Sequence, residues 1–451
     1  MRSTHRATGA MAALILGFAV SAPVLAGTFY VDTNHSSASD SNPGTEGAPW
    51  KTIQKAASTL TAGDTVLVKA GTYTELYSGG PDSAIKAIKP QHSGTEGKPI
   101  TFAAYPGHHV VIDQKGSGKG FYISGRNYIT IRGFEIKNTL IAGIHTPDNG
   151  RNSSKKVYGI VVENNDIHHI SGPRATNVGG IRFDSCVNCV ARNNLVHDSS
   201  EQGINSFGMI NALIEHNEIW NIADYAVYQK RSDGKGATIR RNIIHDVGVG
   251  VMFSIQGGGD PPHNDPNVYE NIIYKARNAA IQTMLSETSS PSRRLYIHSN
   301  VLADSPVGID IRGFQDVEIW DNIFINTPEA FGTKLSGGWP GKITYSDYNV
   351  FYPSAKFFLD RYSSSARNFG SLDAWYAATR FDQNSLNVNP QFTNVADRRY
   401  TLSGSSQAKK SGKTGMDRGA YPTGSGVVGP TDGLIVPVGS PPKPPVLLDA
   451  S

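Results

Sequence analysis

The sequence lacks the long apolar segments and the helical pattern that membrane-spanning and all-helical repeat proteins require. Beyond residue 26, no segment of the 451-residue chain is apolar enough to cross a membrane. The repeated part of the chain also contains no apolar runs with the 3.6-residue period of a helix. We therefore expect neither a membrane-spanning protein nor a helical solenoid.

Net charge and cysteine are also scarce. The formal net charge of +4 at pH 7 falls to +2 when the first 26 residues are removed, because these contain Arg2 and Arg6 and no acidic residue. A dedicated nucleic-acid binder shows a strong basic face, which so small a net charge does not favour. The only cysteines are Cys186 and Cys189, and two further zinc ligands are not evident nearby. We expect a local disulfide or two structural thiols here rather than redox chemistry.

Residues 1–26 have the pattern of a secretory signal. A basic start with Arg2 and Arg6 precedes an apolar core at residues 11–20. Val24-Leu25-Ala26 follows as a plausible cleavage site. We therefore expect a mature, soluble chain that is secreted or periplasmic.

A two-part repeat runs through the middle of the chain. Its first part is Asn-x-apolar, and its second part, usually 8 or 9 residues later, is Gly or Ala followed by an apolar residue. Successive asparagines are 22 to 29 residues apart, which is a period typical of solenoid proteins. The first part recurs at Asn165, Asn194, Asn217, Asn242, Asn271, Asn300 and Asn322. The second part recurs at Gly180, Gly203, Ala226, Gly250, Ala280, Gly308 and Ala330.

The apolar runs inside each period are short, β-branched and alternating, and turn-forming Gly, Asn and Asp bound them. One coil of two or three short strands per period makes a parallel β-helix, in which equivalent residues stack about 4.8 Å apart. The asparagines recur too regularly to be seven separate ligands, so we interpret them as a hydrogen-bonded ladder along one turn. Apolar residues at helical spacing in residues 50–60 predict a helix that caps the N-terminal end of the solenoid.

Several segments resemble one known group of proteins. They are Tyr30-Val31-Asp32, residues 40–45, residues 50–56, residues 63–73, Asn389-Pro390-Gln391-Phe392 and Asp417-Arg418-Gly419-Ala420-Tyr421. Together with the Asn-x-Ile…Gly-Ile coils, they resemble exported right-handed parallel β-helix proteins of the pectate-lyase-like superfamily, over roughly residues 28–422. The resemblance implies an all-β, right-handed parallel β-helix solenoid. The reaction stays open, because the group includes polysaccharide lyases, glycoside hydrolases, epimerases and proteins without known activity.

Residues 27–422 are therefore expected to form the β-helix domain, with regular coils from about residue 128. Residues 423–451 are rich in Gly, Pro and Ser and lack pattern, which predicts a disordered tail. The sequence lacks the Asn-Thr-Asp, Asp-Asp and Gly-His-Gly set of polygalacturonases and the adjacent-aspartate calcium cluster of family-nine pectate lyases. Site residues are therefore inferred from their positions in the coils rather than from a family motif.

Alternation along each second-part strand turns two columns of side chains outwards. In Gly180-Ile181-Arg182-Phe183-Asp184 the apolar residues point inwards, so Arg182 and Asp184 point outwards. The first column consists of His145, Arg182, Asn205, Tyr228, Met252, Gln282 and Asp310. The second column consists of Asp184, Phe207, Lys230, Ser254, Met284 and Arg312. Cations on one such stripe suit a polyanionic sugar chain, and a plain solvated face is the alternative.

Longer loops flank this face, and insertions in solenoids gather on the binding face. Their basic residues are Arg151, Lys155, Lys156, Arg174, Arg231, Arg293 and Arg294. An acidic polysaccharide fits that charge, and ordinary basic loops are the alternative.

Two acidic residues occupy matching positions in neighbouring coils. Glu201 and Asp224 each lie three residues before an inward apolar residue, so they are expected about 5 Å apart. With Asp184 as a further ligand they form a candidate Ca²⁺ site. The alternatives are the carboxyl pair of a retaining glycosidase and two solvated turn residues.

A row of ring side chains follows the inward residue of the first-part strands. The row consists of His168, His197, Trp220, His245 and Tyr274. Stacking is the ordinary use of such positions, and a metal-binding or catalytic role for the histidines is the alternative.

The basic stripe favours a lyase that cleaves an acidic, uronate-containing polysaccharide by β-elimination. Lys230 is the expected general base, because neighbouring cations favour its uncharged form. Tyr228 is expected to donate to the leaving oxygen or to replace Lys230 as the base. Arg182 is expected to neutralise the uronate carboxylate. The predicted substrate-binding residues are Asn205, Asp310, Arg312, Arg231 and His145.

Two other functions stay open: a glycoside hydrolase that uses Glu201 and Asp224, and a non-catalytic surface β-helix that binds glycans. We expect a monomer whose partner is an acidic polysaccharide, with no nucleic-acid partner and with Ca²⁺ as a candidate cofactor.

Overall fold

The computed structural model describes residues 26–79, 84–147, 156–173, 177–230, 234–255, 263–285, 292–333, 341–395, 399–424 and 426–431. Nearly all of the predicted signal therefore lies outside the described residues. The described part of the chain forms 37 strands and two short helices, α1 (Ile53–Thr59) and α2 (Leu372–Thr379). Within these ranges, no helix has the length and apolar character needed to cross a membrane.

The strands are short in most coils and long where two of them merge. In chain order they are β1 Thr28–Val31, β2 Thr65–Val68, β3 Gly71–Tyr73, β4 Ile100–Ala104, β5 Val110–Asp113, β6 Phe121–Tyr122, β7 Ile129–Arg132, β8 Phe134–Leu140, β9 Ala142–Thr146, β10 Val157–Tyr158, β11 Val161–Glu163, β12 Asp166–Ser171, β13 Gly179–Asp184, β14 Cys186–Val187, β15 Val190–Arg192, β16 Leu195–Ser199, β17 Gln202–Phe207, β18 Leu213–Glu215 and β19 Glu218–Lys230. They continue with β20 Gly234–Lys235, β21 Thr238–Arg240, β22 Ile243–Ile255, β23 His263–Asn264, β24 Asn267–Tyr269, β25 Ile272–Leu285, β26 Leu295–His298, β27 Val301–Ala303, β28 Val307–Ile311, β29 Val317–Trp320, β30 Ile323–Ile325, β31 Glu329–Thr333, β32 Ile343–Asp347, β33 Val350–Tyr352, β34 Lys356–Leu359, β35 Arg367–Phe369, β36 Phe392–Asn394 and β37 Arg399–Leu402.

Three rows of parallel strands run along the molecule. Each regular coil adds one strand to each row, except that the long strands β19, β22 and β25 each run through both row B and row C. Row A is the twelve-stranded sheet β1-β2-β4-β7-β11-β15-β18-β21-β24-β26-β29-β32. Row B is β3-β5-β8-β12-β16-β19-β22-β25-β27-β30-β33. Row C is β6-β9-β13-β17-β19-β22-β25-β28-β31-β34. This arrangement is a parallel β-helix, which confirms the fold predicted from the repeat.

Stacked apolar side chains fill the interior of the coils. On row C the inward residues of successive coils lie directly above one another and are at most 1 % exposed. They are Ile181, Ile204, Val227, Val251, Ile281 and Ile309. Isoleucine and valine side chains in register bury apolar surface on every coil, which is the main driving force for the stack.

The asparagine ladder is present as predicted. Each of the seven asparagines is fully buried, and each side-chain Nδ2 donates to the Oδ1 of the next asparagine along the axis, at 2.9–3.1 Å. The ladder extends one coil beyond the prediction, to Asn349, whose Nδ2 donates to Asp382 Oδ1 at 2.9 Å. Buried polar groups are thereby paired on each of these coils, as stability requires.

Helix α1 closes the N-terminal end, as predicted, but is shorter than residues 50–60. Trp50 instead pairs with Val31 in an isolated β-bridge. The buried carboxylate of Glu75 accepts from the N–H of Ile53 at 2.7 Å, at the positive end of the helix. Burial raises the pKa of Glu75, and its hydrogen bonds to the helix oppose that shift.

Helix α2, which the sequence analysis did not predict, closes the other end. Its Trp375 is fully buried and stacks on Phe357 with ring centroids 5.1 Å apart. The Trp375 Nε1 donates to Asp382 Oδ2 at 2.9 Å, next to the end of the asparagine ladder. The apolar core is thus covered at both ends.

Two further sequence features have a place in the fold. Cys186 and Cys189 form a disulfide, one of the two outcomes expected for them. Beyond Thr423, the predicted start of the tail, the chain still contacts the β-helix: Gly429 N donates to Arg241 O at 2.7 Å. Thr431 Oγ1 donates to Asn193 Oδ1 at 3.1 Å. Residues 432–451 lie outside the described residues.

Candidate active-site face

The two predicted columns of outward side chains lie on row C in the predicted register. The recorded pairs of the first column run without a break from His145 to Asp310. Those of the second column run from Asp184 to Met284. The first column also begins one coil earlier than predicted, because Tyr122 pairs with His145. We call this surface, from Tyr122 to Arg312, the row C face.

The polar side chains on this face are more deeply buried than an open solvated surface would leave them. His145 is 6 % exposed, and Asp184, Asn205 and Asp310 are each 1 % exposed. Charged groups held in such surroundings interact more strongly than they do in water. The row C face therefore carries fixed, partly desolvated groups.

A chain of polar contacts links three coils at the N-terminal part of the face. Lys119 Nζ is 2.7 Å from His145 Nδ1, and His145 Nε2 is 3.1 Å from Asp184 Oδ2. Because a lysine ammonium can only donate, Nδ1 accepts and the ring proton is on Nε2. Arg182 Nε donates to the same Asp184 oxygen at 2.8 Å. The structure thus brings His145, Arg182 and Asp184 together, with Lys119 as a residue that the sequence analysis missed.

Burial lowers the pKa of His145 to about 4, against the opposing effect of its hydrogen bond to Asp184. The nearby positive charge of Lys119 adds to the lowering. His145 is therefore neutral at neutral pH and donates one hydrogen bond from Nε2. The sequence contained a sign that the face begins here. Gly120-Phe121-Tyr122, directly after Lys119, has the second-part pattern of Gly followed by an apolar residue.

The three predicted catalytic residues meet around Phe207. Lys230 Nζ lies 5.2 Å from the centroid of the Phe207 ring, and the Arg182 guanidinium carbon lies 4.9 Å from it. The Tyr228 ring is 6.3 Å from the Phe207 ring, edge to face. Two cations at one aromatic ring form paired cation–π contacts. The geometry thus places Lys230, Tyr228 and Arg182 around one aromatic ring on the row C face.

Asn205 lies on the same coil as Phe207, between Arg182 and Tyr228 in the first column. Its Nδ2 donates to Gln202 Oε1 and to Asn177 O, and Arg182 NH1 also donates to Asn177 O, at 3.2 Å. Asn205 Oδ1 is buried without a hydrogen-bond partner among the described residues. It is therefore an unsatisfied acceptor on the row C face.

Asp310 and Arg312, two further predicted binding residues, lie together but several coils away. Arg312 NH2 donates to Asp310 Oδ2 at 2.8 Å, and Gln282 Nε2 donates to the same oxygen at 2.9 Å. The hydroxyl of Tyr362 donates to it as well, at 2.7 Å. Only an extended ligand can contact both this cluster and Lys230.

The three predicted calcium ligands are not gathered at one point. Asp224 N donates to Glu201 O at 2.8 Å, so the two acids lie on adjacent coils as predicted. However, the Glu201 carboxylate accepts from Val178 N at 2.8 Å and is 3 % exposed. Asp184 is held in the second column by Arg182. The residues therefore do not fit a three-ligand calcium site.

Within the described residues, the one group of three mutually close metal-ligand candidates is Asp166, His168 and His197. His197 Nε2 lies 3.0 Å from Asp166 Oδ1, and its Nδ1 lies 2.8 Å from Asp198 Oδ2. Burial alone lowers the pKa of His197, but these two hydrogen bonds outweigh it and raise the pKa to about 9. At neutral pH, in the absence of a metal, both ring nitrogens are protonated, so a metal would have to displace a proton from His197.

The ring row predicted from the sequence is a continuous stack on row B. The successive centroid distances are 4.8 Å for His168–His197, 4.1 Å for His197–Trp220, 6.0 Å for Trp220–His245 and 4.8 Å for His245–Tyr274, with interplanar angles of 5–13°. The stacking interpretation is confirmed.

Of the predicted basic loop residues, Arg151, Lys155, Arg174 and Arg231 lie outside the described residues, so the part that Arg231 plays at the site stays a prediction.

Comparisons with known proteins agree with this architecture. A family model described as the Pel9A-like right-handed beta helix region matches residues 29–217. The crystal structure of pectate lyase Pel9A is similar over 88 % of this chain and 96 % of its own, with a TM-score of 0.57 and 16 % identity. These matches show a right-handed parallel β-helix and confirm the resemblance to pectate-lyase-like proteins.

Two curated proteins share local sequence similarity with the chain. Pectate lyase PEL9 of Emericella nidulans is 40 % identical over 90 residues, which are 20 % of this chain and 19 % of that protein. The protein YwoF of Bacillus subtilis is 31 % identical over 153 residues, which are 33 % of this chain and 29 % of that protein. The chain thus spans less than a third of the length of the curated relatives it matches.

Proposed function

We propose that the protein is a secreted or periplasmic lyase that cleaves a uronate-containing polysaccharide by β-elimination. The observation that carries the proposal is the meeting of Lys230, Arg182 and Tyr228 around Phe207 on an extended face. The Pel9A structure and the Emericella nidulans relative are both named as pectate lyases, which supports the same reaction class.

The reaction needs a base, a group that neutralises the uronate carboxylate, and a proton for the leaving oxygen. Lys230, in its uncharged form, takes the proton from C5, and the C5–H electrons form the C4–C5 double bond as the C4–O bond breaks. Arg182 stabilises the negative charge that develops on the carboxylate. Tyr228 gives its proton to the departing oxygen, or acts as the base in place of Lys230. Neutral His145 keeps Asp184 oriented beside Arg182.

Each step of this scheme uses a side chain of the protein. No step uses a calcium ion, because the predicted calcium ligands do not lie together at one point. The hydrolase alternative is disfavoured by the burial of Glu201. It is 3 % exposed and one of its oxygens accepts the Val178 N–H, so its carboxylate is not presented to a ligand on the face.

The reaction class is tested by incubating the purified mature chain with pectate, alginate, glycosaminoglycans and neutral glycans. Elimination leaves a conjugated, ultraviolet-absorbing uronate at each new non-reducing end, and hydrolysis does not. New reducing ends without that absorbance would indicate that the protein is a hydrolase. Binding without new ends indicates the non-catalytic glycan-binding function.

Lys230→Ala tests the base. If Lys230 removes the proton, kcat falls by about 10²- to 10⁴-fold. If Lys230 only pairs with substrate charge, KM rises and kcat changes little. Lys275→Ala is the matched control, because Lys275 is an exposed lysine on β25 outside the two columns. A variant of Lys230 with full kcat contradicts its assignment as the base.

A further inference from the structure

A half-exposed tyrosine is fixed at the far end of the row C face. Tyr362 is 47 % exposed, yet its hydroxyl donates to the 1 % exposed Asp310 at 2.7 Å. The guanidinium carbon of Arg312 lies 3.9 Å from the Tyr362 ring centroid, so Arg312 packs on the ring while it also donates to Asp310. These contacts hold the ring in one orientation and leave part of it open to solvent.

A second arginine and a glycine shape the space beside this ring. The guanidinium carbon of Arg361 lies 5.5 Å from the Tyr362 ring centroid, and its NH2 is 2.6 Å from Glu329 Oε2. Gly332 follows Asp310 in the first column. A Cβ on Gly332 would lie 3.0 Å from Arg361 Cδ and 3.4 Å from Asp310 Oδ1. The absence of a Cβ therefore lets the Arg361 side chain pack closely over Gly332, next to Asp310.

One polar atom of this cluster has no hydrogen-bond partner within the described part of the protein. Asp310 Oδ1 is buried and has no hydrogen-bond partner in the described part of the chain, whereas Oδ2 accepts from three donors. A buried acceptor without a partner is unfavourable unless something else satisfies it. A sugar hydroxyl that reached Oδ1 would be a suitable donor.

The charges at this end differ from those around Lys230. Arg312 and Arg361 each contact an acid, Asp310 and Glu329, so the four charges balance. The cluster is therefore suited to a sugar ring that stacks and hydrogen-bonds, and it has no need of a carboxylate on that ring.

The spacing along the second column gives the distance to the proposed base. Lys230, Ser254 and Met284 lie on successive coils, and Arg312 lies one coil further on. Three steps of about 4.8 Å separate Lys230 from Arg312 by roughly 14 Å along the axis. With roughly one sugar residue per coil, the cluster lies about three residues from the reacting one.

We propose that Tyr362, Arg312 and Arg361 form a distal subsite that binds one sugar residue of the polysaccharide by stacking on the Tyr362 ring. This inference rests on the proposed function of the row C face. It predicts that substrates long enough to reach from Lys230 to Tyr362 bind better than shorter ones. The added affinity is insensitive to salt, because stacking rather than charge provides it.

The test is Tyr362→Ala, measured on size-fractionated uronate oligomers from dimer to octamer. For the longer oligomers KM rises about 2- to 12-fold and kcat is unchanged, the range expected for one aromatic contact. For the shortest oligomers neither constant changes. Tyr362→Phe keeps the ring and restores the KM of long oligomers. Tyr376→Ala is the matched control, because Tyr376 also stacks with an arginine, Arg380, but lies on α2.

Two results overturn the subsite: an equal KM change at every length, or an unchanged KM for long oligomers. Calorimetric binding of the same oligomers separates this inference from the reaction. If the chain cleaves none of them but Tyr362→Ala weakens only the longer ones, the lyase proposal fails and the subsite stands. If no oligomer binds at all, both fail.

Discussion

Removing one rung of the asparagine ladder, by Asn242→Leu, is expected to destabilise the protein strongly. Leucine has a similar volume, so the change removes hydrogen bonds while leaving little cavity. The Asn242 Nδ2 is a fully used donor, at 2.9 Å to each of three oxygens: Ile214 O, Arg240 O and Asn271 Oδ1. Its Oδ1 accepts from the backbone N and the Nδ2 of Asn217, at 3.0 Å each.

The size of the effect follows from those five bonds. The buried Asn217 N–H loses its acceptor, which costs about 1–3 kcal/mol, and each other lost bond contributes about 1 kcal/mol net. Allowing for relaxation around the new side chain, we expect the free energy of unfolding to fall by roughly 3–5 kcal/mol. Whole domains are typically stable by about 5–15 kcal/mol, so this is a large fraction.

Urea unfolding, followed by both circular dichroism and tryptophan fluorescence, measures the change and checks that the two transitions coincide. Asn368→Leu is the matched control, because Asn368 is exposed on β35, and its effect is expected below about 0.5 kcal/mol. If Asn242→Leu lowers the free energy no more than this control does, the ladder is not a main source of stability and the reasoning is refuted.

Two other predictions concern pH and metal. The pKa of His197 is raised to about 9, so its charged form stabilises the fold fully below about pH 6.5, and this contribution is lost as the pH rises through 9. His197→Asn should abolish that alkaline loss of unfolding free energy, and an unchanged pH profile would argue against the Asp166 and Asp198 pairing. Because Glu201 accepts from Val178 N–H, we expect EDTA to leave Tm unchanged, whereas a lower Tm that Asp224→Asn abolishes would re-establish the calcium site.

The features that could be predicted from the sequence are those that repeat. The asparagine ladder, the ring stack and the register of both columns each recur once per coil, so regular spacing was enough to place Arg182, Tyr228 and Lys230 on one face. Alternation then assigned the inward and outward positions, because side chains in a strand alternate between its two sides.

The features that could not be predicted depend on side-chain direction or on segments outside the repeat. Spacing placed Glu201 beside Asp224, but only the side-chain conformation shows that its carboxylate turns to Val178 N–H. Tyr362 comes from the irregular segment after β34, far from Asp310 in sequence, so no period connects them. Lys119 was missed because the repeat was taken to begin one coil too late.

The asparagine ladder and the row C face depend on the same register. A slip of one residue in any strand would turn its outward side chains inwards. The asparagines prevent such a slip, since each Asn accepts from and donates to fixed atoms of its neighbours on both sides. The coils differ in length: 23 residues separate Arg182 from Asn205, 30 separate Met252 from Gln282 and 37 separate His145 from Arg182. These pairs are nevertheless in register, because the extra residues lie outside the turn that carries the ladder. The buried turn thus allows the loops beside the row C face to vary in length while the spacing of the groups on that face stays constant.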